Sequence, residues 1–399
     1  MEEWKEYKLG DVLTIKYGKD HKQLADGDIP IYGSGGIMRY GERSLYDGPS
    51  ILIPRKGSLN NVIYADKPFW TVDTMFWSII NDSIANPLFV YYSICKKDFA
   101  SLNVGSAVPS LTVPVIEDID ILLPSKATQD KVVSVLKSLD DKIELNRHIN
   151  DNLERQAQAL FKSWFVDFEP FKGRKFVDSE LGMIPEGWRV GTLNELIIST
   201  LGGDWGKEDA IGNYVKKVSC IRGADIPEIR QGNRGNMPTR FILNKNFLNK
   251  ALKAEDLVVE ISGGSPTQST GRICQISDTL LKKYDDVVIC TNFCRAIKTK
   301  RPYSQFIYYL WEYLYKRGVM FLYENGTTGI KNLDINGLLE KEIIVIPDEN
   351  TVHKYTGLCN LFSQIVQSNG YESERLVKLR DTLLPKLMSG ELKINDINN

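Results

Sequence analysis

The chain has 399 residues, of which 42% are hydrophobic and 25% are charged, a composition typical of a folded globular protein with two or three hydrophobic cores. This composition excludes disorder throughout the chain. The formal net charge is -1 and the pI is near 6.4, which excludes a simple polycationic nucleic-acid binder, because phosphate neutralisation requires clustered Lys and Arg.

The N-terminal segment Met1-Glu2-Glu3-Trp4-Lys5 has neither the basic end nor the apolar stretch of a signal peptide, and no apolar run approaches the length of a membrane span. We therefore expect a cytoplasmic protein that does not enter a membrane. The cysteines lack paired C-x-x-C spacing, so the sequence predicts reduced and mostly buried thiols, with no bound metal. They are Cys95, Cys220, Cys274, Cys290, Cys294 and Cys359.

The first globular region, residues 1–125, consists of short strand-like runs that end in glycine-rich turns. Residues 29–31 lead into Tyr32-Gly33-Ser34-Gly35-Gly36, and residues 51–54 lead into a polar loop over residues 55–61. Glycines allow a backbone to approach a ligand closely, and small polar or cationic side chains suit phosphates and base edges. Ordinary surface turns have the same composition. The candidate DNA-contacting residues here are Ser34, Arg55, Lys56, Ser58, Asn60 and Asn61.

A long helix is predicted over residues 126–169, and Pro170 follows it. Its apolar and amide positions alternate in steps of four and three, which is a heptad seam. A helix of about 38 residues is roughly 57 Å long, more than one small domain can cover, so pairing with a second long helix is favoured over packing on a single domain. The seam residues are Leu139, Ile143, Asn146, Asn150, Leu153, Ala157, Leu160 and Trp164.

Residues 170–347 form a linker and a second globular region that repeats the first. Trp188 corresponds to Trp4 at the start of each copy, residues 306–309 correspond to residues 89–92, and residues 345–347 correspond to residues 121–124. The strand-like run 257–261 and the loop after it correspond to residues 51–61, and we propose Gln268 and Arg272 there for base readout, since Gln suits adenine and Arg guanine. The other candidates in this loop are Ser265, Thr267 and Ser269.

The stretch from Val215 to Lys253 contains many basic residues, opposed only by Asp225 and Glu228. It is a candidate DNA face, although a solvated charged surface is the common explanation for such a run. The residues expected to contact phosphates are Lys216, Lys217, Arg222, Arg230, Arg234 and Arg240.

A second long helix is predicted over residues 348–392, and adding 223 to the residue number maps Leu139 onto Phe362 and Asn146 onto Asn369. The two helices are copies, and a buried Asn in each seam would fix their register. We expect an α+β protein in which two globular domains are joined by two long helices that form an antiparallel coiled coil, with an internal pseudo-two-fold repeat. The second seam is Leu358, Phe362, Ile365, Asn369, Glu372, Leu376, Leu379 and Leu383.

Five segments, in this order, carry a resemblance to a known family. They are Tyr32-Gly33-Ser34-Gly35-Gly36, Arg55-Lys56-Gly57-Ser58, the segment 159–168 (ALFKSWFVDF), the segment 179–188 (SELGMIPEGW) and the segment 383–392 (LLPKLMSGEL). The chain resembles the specificity (S) subunit of a Type I restriction-modification system over nearly its whole length.

The resemblance implies two target recognition domains, each reading half of a bipartite double-stranded DNA site, and two helices that set the spacing. It also implies that two modification (M) subunits bring S-adenosylmethionine and that restriction (R) subunits bring ATP and Mg²⁺, while this chain binds no cofactor. The second half departs from the first, because it is about 39 residues longer between its opening Trp and its closing Pro.

Catalytic motifs are not evident, and no catalytic residue is predicted. Asn86-Pro87-Leu88-Phe89 lacks the second proline of an adenine methyltransferase loop, and no phosphate-binding loop of the GxxxxGK[ST] type occurs. Asp381 with residues 391–393 has a spacing found in nucleases, but Asp381 lies in a predicted helix. A zinc cluster of Cys220, Cys274, Cys290 and Cys294 is a possible interpretation of these cysteines. A buried strand over residues 287–294 is the favoured one. The alternatives are a two-headed coiled-coil adaptor that binds proteins and a solitary nuclease or methyltransferase.

Overall fold

The computed structural model describes residues 4–105, 108–263, 268–326 and 331–393. These residues form two compact units. The first unit runs up to Asp141 and resumes at Leu376, and the second unit is Lys142–Arg375. Two long helices each contribute one part to the first unit and one part to the second.

The first unit has a mixed set of short strands and helices. Its strands are β1 (Lys5–Lys8), β2 (Leu13–Tyr17), β3 (Ile29–Gly33), β4 (Gly36–Gly41), β5 (Ser50–Pro54), β6 (Ile63–Ala65), β7 (Trp70–Thr71), β8 (Met75–Ile80) and β9 (Asp120–Leu123). Its helices are α1 (Leu9–Val12), α2 (Pro87–Ile94), α3 (Val113–Glu117) and the start of α4 (Lys126–Phe165), with a 3-10 turn at Phe99–Leu102.

The strands of the first unit form two main sheets. One has the order β2-β8-β5-β6, and the other has the order β4-β3-β7, in which β3 and β7 are parallel. Every residue of β5 is buried, which explains its uninterrupted apolar sequence. The short strands β1 and β9 pair antiparallel and bring the start and end of the domain together. Phe76, Phe89 and Phe99 lie in its largest core.

The second unit also consists of short strands and helices. Its strands are β10 (Phe176–Val177), β11 (Ile184–Pro185), β12 (Arg189–Thr192), β13 (Ile197–Gly202), β14 (Tyr214–Ile221), β15 (Thr239–Leu243), β16 (Leu257–Glu260), β17 (Ser262–Gly263), β18 (Ile273–Gln275), β19 (Val287–Cys290), β20 (Cys294–Thr299), β21 (Glu324–Asn325), β22 (Lys331–Leu333) and β23 (Ile343–Ile346). Its helices are the rest of α4, α5 (Ile226–Arg230), α6 (Asn244–Phe247), α7 (Asp278–Leu281), α8 (Ser304–Lys316), α9 (Ile335–Lys341) and most of α10 (Glu349–Met388). Its 3-10 turns are Glu169–Phe171, Leu193–Leu196, Gly223–Asp225 and Val319–Tyr323.

The sheets of the two units share one topology. The order β13-β20-β16-β18 matches β2-β8-β5-β6, and the order β15-β14-β19 matches β4-β3-β7, with β14 and β19 parallel as β3 and β7 are. Strands β12 and β23 pair antiparallel, as β1 and β9 do. This agreement confirms the predicted internal repeat and makes β16 the counterpart of β5. The sheet β17-β22-β21 belongs to the longer second half.

The two predicted long helices are confirmed as α4 and α10, and they pair antiparallel. Within the second unit, Lys142 pairs with Glu372 at 3.1 Å, and the Tyr355 hydroxyl donates to the carbonyl oxygen of Ala157 at 3.4 Å. Residue numbers therefore rise along one helix as they fall along the other. All eight predicted seam positions of α4 are buried or half-buried.

The predicted seam of α10 is partly wrong. Leu358, Ile365 and Leu379 are 40%, 45% and 47% exposed, whereas Tyr355 and Cys359 are buried. The buried stripe is rotated because α10 packs against more than its partner helix: Tyr355 contacts Phe165 of α4 and also Tyr309 of α8. A strict heptad seam assumes a single partner, and this helix has two.

The cysteines are buried as predicted, except Cys95, which is half-buried. Burial raises the pKa of the Cys290 and Cys294 thiols to about 12, which disfavours the thiolate form that zinc requires. Among the described residues, no group of three or more His, Cys, Asp or Glu side chains could hold a metal ion. No described helix combines the length and the apolar character of a membrane span.

Candidate nucleic-acid interface

In the first unit, three loops meet beyond the end of β5. Asn61 donates from Nδ2 to the carbonyl oxygen of Ser34 at 2.8 Å, and the backbone N–H of Leu111 donates to the carbonyl oxygen of Arg55 at 2.9 Å. Gly57 has φ of +88°, and a Cβ there would lie 2.8 Å from the Ser34 hydroxyl oxygen, so glycine permits this close approach. The structure therefore brings together three predicted site residues, Ser34, Arg55 and Asn61.

Arg55 presents a cation beside an exposed aromatic ring. Its guanidinium carbon lies 5.5 Å from the ring centroid of Tyr17, whose side chain is 56% exposed. The backbone N–H of Arg55 donates to the carbonyl oxygen of Thr74 at 2.8 Å, which fixes the start of the loop. Lys56 follows and is exposed. Cations on a loop with ordered backbone suit phosphate or base-edge contacts.

Asn60 has a structural role in the same loop. Its Nδ2 donates to Asp98 at 3.1 Å, and its Oδ1 accepts from the backbone N–H of Ala100 at 2.8 Å. Both ends of the amide thus hold the 3-10 turn after α2. Ser58 is exposed. That Ser58 and Asn60 contact DNA stays a prediction. The hydrogen bonds of Asn60 favour a role in supporting the loop.

The third loop, which the structure describes at residues 103–105 and 108–111, was not predicted from the sequence. Asn103 Oδ1 accepts from the backbone N–H groups of Gly105 and Ser110, both at 2.8 Å, and so closes the loop. The signal was in the internal repeat: Gly105-Ser106 lies upstream of Leu111, as Gly326-Thr327 lies upstream of Leu333. These two leucines occupy equivalent backbone positions.

The second unit repeats these backbone contacts with different side chains. Ile261 donates its N–H to the carbonyl oxygen of Phe293 at 2.9 Å, and Leu333 donates to the carbonyl oxygen of Ile261 at 2.9 Å. Arg55, Thr74 and Leu111 have the same relationship in the first unit. Isoleucine therefore stands at the position of Arg55.

Arg272 is held next to this position by a buried carboxylate. Its Nε and Nη2 donate to Glu260 at 2.8 and 2.6 Å, and the Glu260 side chain is only 8% exposed. These hydrogen bonds raise the pKa of Arg272. Glu260 also lies beside Gly223 and Gly263, where a larger side chain would meet it. The arrangement fixes the guanidinium, whose Nη1 is not used in this pair.

The other predicted residues of this loop differ in exposure. Gln268 is exposed, whereas Ser269 is buried and its carbonyl oxygen accepts from the Tyr315 hydroxyl at 3.0 Å. Ser265 and Thr267 lie outside the described residues. Ser269 therefore contributes to the support of the loop.

Some residues of the predicted basic stretch lie on aromatic rings near the surface. Lys216 Nζ is 5.3 Å from the ring centroid of Phe247, and the Arg234 guanidinium is 4.4 Å from that of Tyr284. Lys217 is exposed and pairs with Asp286 at 3.1 Å. Exposed cations of this kind remain available to a phosphate, since surface ion pairs are weak.

The remaining arginines of that stretch are engaged inside the unit. Arg222 binds the buried Asp225, Arg230 binds the buried Glu312 at 2.8 Å, and Arg240 is 9% exposed with its guanidinium 3.9 Å from the Trp205 ring. The basic stretch is therefore not one continuous face. That these three arginines contact phosphates stays a prediction. Their pairing within the unit argues against it.

Comparison with known proteins relates this fold and these loops to a family. Residues 1–155 match the family described as the Type I restriction modification DNA specificity domain. The chain is 29% identical to the MjaIX specificity subunit of Methanocaldococcus jannaschii, over 98% of this chain and 89% of that protein. It is 24% identical to the HindI specificity subunit of Haemophilus influenzae, over 98% of this chain and 100% of that protein.

The chain is therefore similar to Type I restriction-modification specificity subunits over nearly its whole length, and residues 1–155 match their DNA specificity domain. A specificity subunit is the non-catalytic member of its complex, so the predicted lack of catalytic residues agrees with the family. The crystal structure of an S subunit from M. genitalium has a TM-score of 0.53 and 17% identity, over 97% of this chain and 96% of that one. That likeness supports the shared α+β fold with two long helices.

Proposed function

We propose that this specificity subunit reads a bipartite double-stranded DNA site, with one target recognition domain on each half-site and with the paired helices setting the gap. The recognition domains are residues 1–125 and, with the linker, 170–347, and the spacer helices are residues 126–169 and 348–392. One observation carries the proposal: two domains of identical sheet order are each followed by a helix of 40 residues. Two readers on one spacer suit two short sequences at a fixed distance.

The loops beyond β5 and β16 are the proposed reading surfaces. In the first domain Arg55, Lys56 and Asn61 offer donors to phosphates and base edges. In the second domain the fixed guanidinium of Arg272 and the exposed Gln268 are the candidates for base readout, and Lys216, Lys217 and Arg234 are the candidates for phosphate contacts. The side chains differ between the domains, so the two half-sites are expected to differ in sequence.

Two modification subunits carrying S-adenosylmethionine, and restriction subunits using ATP and Mg²⁺, are the proposed partners. Within the second unit, Leu358, Leu361 and Ile365 are exposed at helical spacing on α10, although this helix is already paired. An exposed apolar stripe on a paired helix is typical of a surface that binds a further protein. The cytoplasm is the expected compartment, because the DNA and these subunits meet there.

Methylome sequencing of a host that expresses this chain with its modification subunit tests the proposal. The expected result is one bipartite adenine-methylated motif with a constant gap, absent from cells that lack this chain. Methylation that does not depend on the chain, together with a failure to shift any duplex from a random pool, would favour a protein-binding adaptor instead.

A further inference from the structure

The connection between β14 and β15 is much longer than its counterpart in the first domain. There, only Ser34 and Gly35 separate β3 from β4, whereas residues 222–238 separate β14 from β15. This insertion accounts for part of the extra length of the second half. It contains the 3-10 turn Gly223–Asp225 and the short helix α5.

The insertion reaches the polar layer of the paired helices. Asn150 of α4 donates from Nδ2 to the carbonyl oxygen of Gln231 at 3.0 Å, and Gln231 donates from Nε2 to Asp151 at 2.6 Å. Asn150 also accepts from Asn369 of α10 at 2.8 Å. Asn150 is 3% exposed, so these bonds form where unpaired polar groups are costly.

Partly buried ion pairs hold the two ends of the contact. Arg230 donates to Glu312 of α8 at 2.8 Å and to Glu154 of α4 at 3.3 Å, so one guanidinium joins the domain to the helix. Lys283, whose side chain is 9% exposed, pairs with Glu374 of α10 at 3.0 Å and donates to the carbonyl oxygen of Gly232 at 2.8 Å. Bonds to both helices restrict movement in more than one direction.

Two glycines let the insertion lie directly on α10. A Cβ on Gly370 would overlap the backbone of Gly232, and a Cβ on Gly232 would overlap the carbonyl oxygen of Val366. Gly232 also has φ of +76°, which favours glycine. Two backbones in contact form a rigid joint, because no flexible side chain lies between them.

We infer that residues 222–238 act as a brace that fixes the angle of the second recognition domain on the helix pair, and that Gln231, Gly232 and Gly370 are positioning residues for the gap between the half-sites. A domain that tilts by a few degrees moves its reading loops along the duplex, where successive base pairs lie about 3.4 Å apart. The brace therefore sets which gap is accepted, and the loops beyond β16 set which bases are read. The inference rests on the proposed function.

The test uses the complete complex of this chain with its modification subunit and a set of duplexes. The duplexes share both half-sites and differ only in the gap, which is one base pair shorter, native or one base pair longer. Gly370→Val and Gln231→Ala are compared with Asn236→Ala, an exposed position in the same insertion. We expect the first two variants to lose about tenfold in their preference for the native gap, with the half-site bases unchanged, and Asn236→Ala to keep the preference.

Folded variants that keep the native preference would overturn the brace, and so would variants that lose methylation equally at every gap. Thermal unfolding of each complex shows which variants are folded, and Gln231→Ala decides alone if Gly370→Val does not fold, because it removes a side-chain hydrogen bond and leaves the backbone contact. The unaltered complex is the reference for the proposed function. If it methylates no bipartite duplex, that function fails, whereas a methylated native site with unchanged variants refutes only the brace.

Discussion

Asn369 donates a hydrogen bond from Nδ2 to Oδ1 of Asn150 across 2.8 Å, and its own carbonyl oxygen accepts from Asn146 at 3.4 Å. The sequence predicted that Asn146 and Asn369 meet, and this is confirmed. The structure adds Asn150 and Glu372, since Asn146 also donates to Glu372 at 2.8 Å. We propose that this layer of linked polar groups fixes the register of the helices, because a shift by one residue would break its hydrogen bonds.

Asn150→Ala tests the strength of this layer. The change removes hydrogen bonds to Asn369 and Gln231 in a buried position, so we expect it to lower the free energy of unfolding by about 1–3 kcal/mol. Asn152→Ala is the matched control, because Asn152 is exposed on the same helix and both changes improve helix propensity alike. Urea unfolding followed by circular dichroism measures the difference. Equal effects of the two changes would show that the layer adds no stability.

Lys56→Ala and Lys217→Ala are expected to weaken DNA binding without changing the methylated motif. Lys56→Ala removes an exposed cation of a reading loop, and Lys217→Ala removes an exposed cation of strand β14. Losing one phosphate contact reduces the magnitude of the slope of log K against log salt concentration by about 1. Affinity measured at several salt concentrations checks this. Lys172→Ala, an exposed lysine in the linker, serves as the control. A changed motif would instead assign base readout to the altered lysine.

Arg272→Ala is expected to relax the second half-site and to leave the first unchanged. It also leaves the buried Glu260 carboxylate without its cation, a loss of about 1–3 kcal/mol of stability. Adding Glu260→Gln removes the unpaired charge, so the double variant is expected to recover stability while its base preference stays relaxed. Methylome sequencing and thermal unfolding are compared. Recovery of the motif together with stability would mean that Arg272 only supports the loop.

Replacing residues 1–125 with those of a relative is expected to change one half of the motif only. The graft ends in the loop between β9 and α4, so it leaves both helices and the second domain intact. The gap and the other half-site are therefore expected to persist, as methylome sequencing would show. The reciprocal graft of residues 170–347 is the control. A graft that rewrites both halves would refute independent reading.

The sequence was sufficient to predict the long helices and the repeat. A helix predicted over residues 126–169 is observed over Lys126–Phe165, because heptad periodicity over many turns is a strong local signal. The counterpart relation of residues 51–54 and 257–260 also held, as the shared sheet order shows. Each of these features repeats in the sequence, so one copy supports the other.

The ion-pair partners of individual charged residues could not be predicted in the same way. Arg230 looked like a surface cation, but its partner Glu312 is 82 residues away along the chain. The burial of Tyr355, which was not a predicted seam residue, similarly depends on Tyr309 of α8. Such contacts arise only when distant segments meet, and local pattern carries no record of them.

Strand β5 ends in Pro54, whereas its counterpart β16 ends in Glu260, and the loops that follow begin with Arg55 and Ile261. We expect loops that start from such unlike side chains to select different bases. A site assembled from two different half-sites is not a palindrome, so each occurrence has a left and a right arm and its two strands are distinguishable. Every bound copy of this chain would therefore point in a defined direction along the chromosome.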